Sequence, residues 1–217
     1  MRDRFTSVSL SRDSQYGAPA FLWWLVGIMA AIELILAASD AGLLGLSGLR
    51  WVAFRFGAFW EPLLAGTLAP LFPGQTVTMF VTHAFLHGGL MHLLLNGVVL
   101  LALGKTVSAR IGPARTLAVL LVSAVAGGAA FGLISTSTWP MIGASGAVFG
   151  LFGVWQAWQY EVSRRTGRPL QPVVNSVLAL VVANILLAVV LSGGLAWEAH
   201  LGGWLAGCAA AMTFARA

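Results

Sequence analysis

All four histidines of the 217-residue chain fall in two places. His83, His87 and His92 lie in the run Thr82-His83-Ala84-Phe85-Leu86-His87-Gly88-Gly89-Leu90-Met91-His92-Leu93-Leu94-Leu95-Asn96, and His200 lies in Ala199-His200-Leu201-Gly202-Gly203-Trp204-Leu205-Ala206-Gly207. One serine, Ser145, is set among small residues in Gly143-Ala144-Ser145-Gly146. A hydroxyl held against a neutral imidazole is a nucleophile beside its base, which is the equipment of acyl transfer. The same residues have plainer uses. Serine is a favoured helix N-cap. His92 and Asn96, at i and i+4, share a helix face and suit a clamp between two helices. His83 and His87 suit the ordering of a loop better than catalysis. No metal is expected, since there is no HExxH and no Cys/His ligand set, and no other cofactor is called for.

The elements that must carry these residues follow from composition. The chain is 59% hydrophobic and 9% charged, against roughly 25% charged in a typical soluble domain. Disorder and an ordinary water-soluble globule are both excluded on that ground. Cys208 is the single cysteine, so a disulfide scaffold is excluded too. What remains is an integral membrane protein, whose first partner is the lipid bilayer. The net charge of +5 does not point to nucleic acid, because the 12 basic residues sit in short clusters between apolar runs.

A helix needs about 20 apolar residues to cross the hydrocarbon core. Six runs approach that length: Ala20–Ala38, Gly89–Leu103, Ala114–Ile134, Gly146–Tyr160, Val173–Leu191 and Ala199–Ala215. The expected fold is therefore all-α and polytopic, with six transmembrane helices. A segment over 1–19 precedes a membrane domain over 20–217, within which 39–88 forms a long first loop. That loop crowds Trp51, Phe54, Phe56, Phe59 and Trp60 around Arg50, Arg55 and Glu61, a mixture that fits an amphipathic element in the membrane interface. The first run is not expected to be a cleaved signal, because its leader mixes Arg2, Asp3, Arg4, Arg12 and Asp13. Glu33, inside that run, is expected to be a hydrogen-bonded or protonated carboxyl near the outer boundary.

Ten of the 12 basic residues fall in alternate connections: Arg2, Arg4 and Arg12, then Lys105, Arg110 and Arg115, then Arg164, Arg165 and Arg168, then Arg216. By the positive-inside rule these segments, and both termini, are cytoplasmic. The second, fourth and sixth spans then all begin on the outer side. His92, Ser145 and His200 lie near those beginnings and share one depth. Three helix N-termini with unpaired N–H groups meet there as well. Gly146 and Gly150, like Gly203 and Gly207, stand at i and i+4 and give each helix a flat face for close approach. Packing these faces together brings Ser145 within hydrogen-bond reach of His200.

Gly143-Ala144-Ser145-Gly146, Ala199-His200-x-x-Gly203-x-x-x-Gly207 and His87-Gly88-Gly89-x-x-His92-x-x-x-Asn96 resemble the three signatures of the rhomboid family of intramembrane serine proteases, in the family's order and on its second, fourth and sixth spans. The resemblance covers about Phe72 to Phe214. It implies a six-helix bundle and a catalytic dyad of Ser145 and His200 with no third carboxylate. It implies an oxyanion site from His92, Asn96 and the Ser145 N–H, which the free Gly146 N–H is placed to join. Phe149 sits where the family carries Tyr or Phe, and can stack on His200. The implied substrates are transmembrane proteins cut near the outer end of their span, and the implied home is a bacterial inner membrane. Thr78-Met79 stands where many relatives carry Trp-Arg, a departure that bears on how the first loop is anchored. The alternative is a catalytically silent relative that binds membrane helices without cutting them. A small transporter is a weaker alternative, for want of spread-out intramembrane charge.

Overall fold

The computed structural model describes residues 17–137, 139–190 and 194–214. Arg2, Arg4, Arg12 and Arg216, on which part of the charge argument rests, lie outside the described residues. The chain folds into nine described α-helices: α1 Ala20–Asp40, α2 Leu49–Gly57, α3 Glu61–Leu64, α4 Gln75–Thr82, α5 Leu90–Ile111, α6 Pro113–Ile134, α7 Ser145–Thr166, α8 Gln171–Val190 and α9 Trp197–Phe214. A 3-10 turn over His83–Phe85 follows α4. The six long helices, α1 and α5 to α9, form the bundle of an integral membrane protein. Among the described residues, extended pairing is limited to one isolated bridge between Phe59 and Met141.

Two of the spans run past their apolar stretches. The second was expected over Gly89–Leu103, yet α5 continues to Ile111. The fourth was expected over Gly146–Tyr160, yet α7 continues to Thr166. An apolar run measures the hydrocarbon slab, whereas a helix stops only where its backbone is turned away. Gly112 (φ +82) ends α5, with Pro113 opening α6, and Gly167 (φ +66) ends α7. Lys105 and Arg110 therefore belong to α5, and Glu161, Arg164 and Arg165 to α7. Arg110 lies over the Trp158 ring, 4.2 Å from its centre, tying the ends of these two helices together.

Of the six, α1, α5, α6 and α8 are long and apolar enough to cross a membrane by composition alone. The two that fall short, α7 and α9, pack mainly against other helices. With α7 next to α5, α6, α8 and α9, Gln156 is buried among protein, whereas Gln159, Arg164, Arg165 and Thr166 stand exposed toward its C-terminal end. The main core joins Leu22 and Met29 of α1, Leu93, Leu100 and Val107 of α5, and Leu151 and Val154 of α7.

The first loop forms α2 to α4. Trp51, Val52 and Phe56 leave an exposed apolar strip on α2, as suits an element in the interface. Its anchor is Arg50. The guanidinium grips Glu33 of α1 through both carboxylate oxygens (2.8 and 2.9 Å), donates to Asp40 (2.5 Å), and donates to the His87 carbonyl (2.8 Å). The fully buried Glu33 is thus ion-paired to the loop. Gln75 adds a second tie, donating to the Arg55 carbonyl (2.6 Å) and accepting from the Leu71 N–H (2.7 Å). At the Thr78-Met79 position, Met79 is fully buried against Phe59, Leu63 and Phe131. The loop is held there by apolar packing.

Candidate active site

Gly143 shapes the approach to Ser145. Its φ of +113° is one that side chains avoid, and a Cβ on it would lie 2.8 Å from Nε2 of His92. Its N–H donates to the His83 carbonyl (2.9 Å). The cap position of α7 is Ala144, without a side-chain cap bond, and Ser145 is the first helical residue. The serine hydroxyl is consequently not spent as a helix cap. The Ser145 and Gly146 N–H groups open the helix, where no carbonyl one turn earlier is available to them.

Ser145 Oγ lies 2.8 Å from Nε2 of His200. The approach of α7 and α9 that permits this is made by glycine. A Cβ at Gly203 would fall on the Gly146 carbonyl, and one at Gly207 on the Gly150 carbonyl. The third wall comes from α6, whose Gly127 lies so near the Ala199 carbonyl that a Cβ there would stand 2.8 Å from it. The sequence reading paired two glycine faces and did not include α6. Its small residues Ser123, Ala126, Gly127 and Ala130 follow the same helical spacing and were the available signal. Phe149, one turn after Ser145, stacks on the His200 ring with centroids 4.1 Å apart and planes 11° from parallel.

The other nitrogen of His200 has a partner that the motifs in the sequence did not single out. Asn184 Oδ1 of α8 lies 2.6 Å from Nδ1. The Asn184 amide nitrogen donates back to the Leu180 carbonyl (2.9 Å), which turns the amide oxygen toward the imidazole. An amide inside an apolar run is costly without a partner, and that cost was the signal available at Asn184. Arg50 is a second omission, for its bond to the His87 carbonyl ties the first loop to the segment entering α5.

His92 lies in the first turn of α5 with its ring against Gly143, and its Nδ1 accepts from the Gly88 N–H at 3.4 Å. A proton on this ring then resides on Nε2, the nitrogen facing Gly143. Asn96 is buried one turn further on, and its amide donates to the His92 carbonyl (2.9 Å), leaving one amide hydrogen uncommitted. His83 and His87 are fully buried, with no hydrogen-bond partner for any of their ring nitrogens among the described residues. Burial pushes both down to about 4, so both rings are neutral at pH 7. No cluster of metal-ligating side chains occurs among the described residues.

The family profile described as "Rhomboid domain" matches residues 74–217. A curated relative, named "Putative rhomboid protease YdcA" from Bacillus subtilis (strain 168), is 29% identical over 117 residues. The match takes in 52% of this chain and 58% of that relative, so the chain spans little more than half of the relative's length.

Proposed function

The chain belongs to the rhomboid family, and from that premise we propose that it is an intramembrane serine endopeptidase working through Ser145 and His200. The observation that carries the reading is the 2.8 Å bond between Ser145 Oγ and His200 Nε2, under a stacked Phe149 ring. A serine that merely capped a helix, or a histidine that merely packed, would need neither feature.

Ser145 Oγ attacks the scissile carbonyl carbon while His200 Nε2 takes the hydroxyl proton. The carbonyl electron pair moves onto oxygen. That anion is met by the Ser145 and Gly146 N–H groups from one side and by His92 and Asn96 from the other. Collapse of the intermediate breaks the C–N bond, and Nε2 returns the proton to the departing amine. Water, deprotonated by the same nitrogen, then hydrolyses the acyl-enzyme.

The substrates are single-span proteins. A helical peptide bond has its carbonyl tied into the ladder, so Gly or Pro near the outer end of the span favours cutting by weakening that helix by about 1 and 3 kcal/mol respectively. Small residues are preferred at the cut, because Gly143 and Gly146 keep the approach narrow. The basic clusters set the orientation, with both termini in the cytoplasm and the site near the outer face, in a bacterial inner membrane. Treating the detergent-purified protein with a fluorescent fluorophosphonate tests the assignment. Wild type should label and Ser145→Ala should not; equal labelling of the two would sink it.

A further inference from the structure

We infer that Asn184 is a positioning residue for His200, completing a Ser145–His200–Asn184 relay in which the third member is a neutral amide on α8. The inference rests on the protease reading and goes beyond the dyad it names.

The hydrogen-bond chemistry determines the proton positions. The Asn184 amide nitrogen is occupied by the Leu180 carbonyl one turn earlier on its own helix. The atom facing His200 is therefore the amide oxygen, which can only accept. At 2.6 Å from it, Nδ1 of His200 must be the protonated nitrogen. The ring's single remaining lone pair is then on Nε2, 2.8 Å from Ser145 Oγ. With the proton on Nε2 instead, the ring would be a donor toward Ser145 and could not act as its base. Asn184 thus selects the productive tautomer, as an orienting third group does in other nucleophile–base pairs.

The same bond also fixes the ring's direction. Phe149 restrains His200 face-on, but stacking alone still permits a half-turn flip about Cβ–Cγ that exchanges the ring's edges. Two in-plane bonds, to Asn184 on one edge and Ser145 on the other, remove that freedom. During attack the imidazole becomes positively charged, and the Asn184 oxygen dipole faces the Nδ1–H throughout. No proton passes to Asn184, which has no site to receive it.

The test uses the full-length protein in detergent, with histidine labelled by 15N. The His200 signals are assigned by their absence in His200→Ala. In the wild type at neutral pH, His200 should show a protonated Nδ1 and an unprotonated Nε2. A ring protonated on Nε2 would overturn the inference whether or not any variant folds. Asn184→Leu, close in shape and unable to accept, should slow fluorophosphonate labelling on the order of 10- to 100-fold, by analogy with the loss of a partner that orients a metal-binding histidine. Asn184→Asp, which restores an acceptor oxygen, should bring the rate back to within a few-fold of wild type. Unchanged tautomer and labelling rate in Asn184→Leu would remove Asn184 from the relay and leave the dyad standing. Failure of the wild type to label at all would instead remove the protease reading on which the relay depends.

Discussion

Along α7 and α9 the helices meet backbone to backbone, with Gly203 against the Gly146 carbonyl and Gly207 against the Gly150 carbonyl. On the other flank of His200, α8 buries none of residues 171–189 and leaves a cavity of about 570 Å³ lined by Leu180, Asn184, Trp197 and Trp204 among others. The two flanks use the same helical geometry with different side chains. Glycine lets α7 and α9 approach until van der Waals contact is made by main chain, which leaves no rotamer to relax. The Val, Leu and Ile of α8 meet open space or the position of lipid. The proposed nucleophile and base need a fixed separation, and the glycine seam holds Ser145 Oγ 2.8 Å from His200 Nε2. On the proposed function, a transmembrane substrate would need room beside that seam, and the cavity on the α8 flank offers it.

The largest effects should come from the seam's chemistry. Ser145→Ala and His200→Ala should each lower turnover by a factor on the order of 10⁴ or more, and the double variant should be no worse than either single, because the pair acts as a unit. Multiplying losses would mean that the two residues do not share a step. Next is Asn96→Ala. As an oxyanion donor it should cost about 10²–10³ in kcat, roughly 3–4 kcal/mol, with little change in melting temperature. Reduced stability with full turnover per folded molecule would make Asn96 a helix clamp only.

The contrast between flanks is then measurable as stability. Gly203→Val should cost about 3 kcal/mol or more in thermal unfolding, since overpacking has no slack against a carbonyl. Ala183→Leu, on the exposed face of α8, should stay within about 0.5 kcal/mol of wild type. Equal penalties would contradict the assignment of a rigid and an open flank. The smallest effect concerns pH. His83 and His87 have folded-state values near 4, below the ordinary 6.5. Between these values the unfolded chain binds more protons than the folded one. Stability should therefore be full above about pH 6.5 and fall as pH drops toward 4. His83→Gln together with His87→Gln should flatten that dependence in a melting series, and an equally steep slope in the double variant would assign the titration elsewhere.

Much of this arrangement was legible in the residues. Six spans could be counted by their apolar runs, although α7 and α9 fall short of the length and apolarity that crossing hydrocarbon by itself demands. Their ends could not be placed by that rule, as α5 and α7 show by running on to Gly112 and Gly167. The pairing of the Gly146 and Gly203 faces was legible because those two glycine steps stand beside Ser145 and His200 at one depth; the spacing alone is common in Gly-rich membrane helices, and α6 went unread. The partner of Glu33 was not, since Arg50 reaches it only after the chain reverses between α1 and α2.

The sequence by itself determined the membrane class and the six-helix count, and it singled out Ser145, His200, His92 and Asn96 as residues whose types suit acyl transfer as well as plainer structural uses. Only the tertiary structure decided which way His200 is held. Tautomer and ring direction depend on what lies at the second nitrogen, and that atom belongs to α8, whose rotation about its own axis is set by packing. An apolar helix with little amphipathic pattern carries no periodic signal of which face looks inward. Asn184 could therefore be seen in the sequence as a costly polar residue, but its partner was settled only when α8 came to lie against α7 and α9.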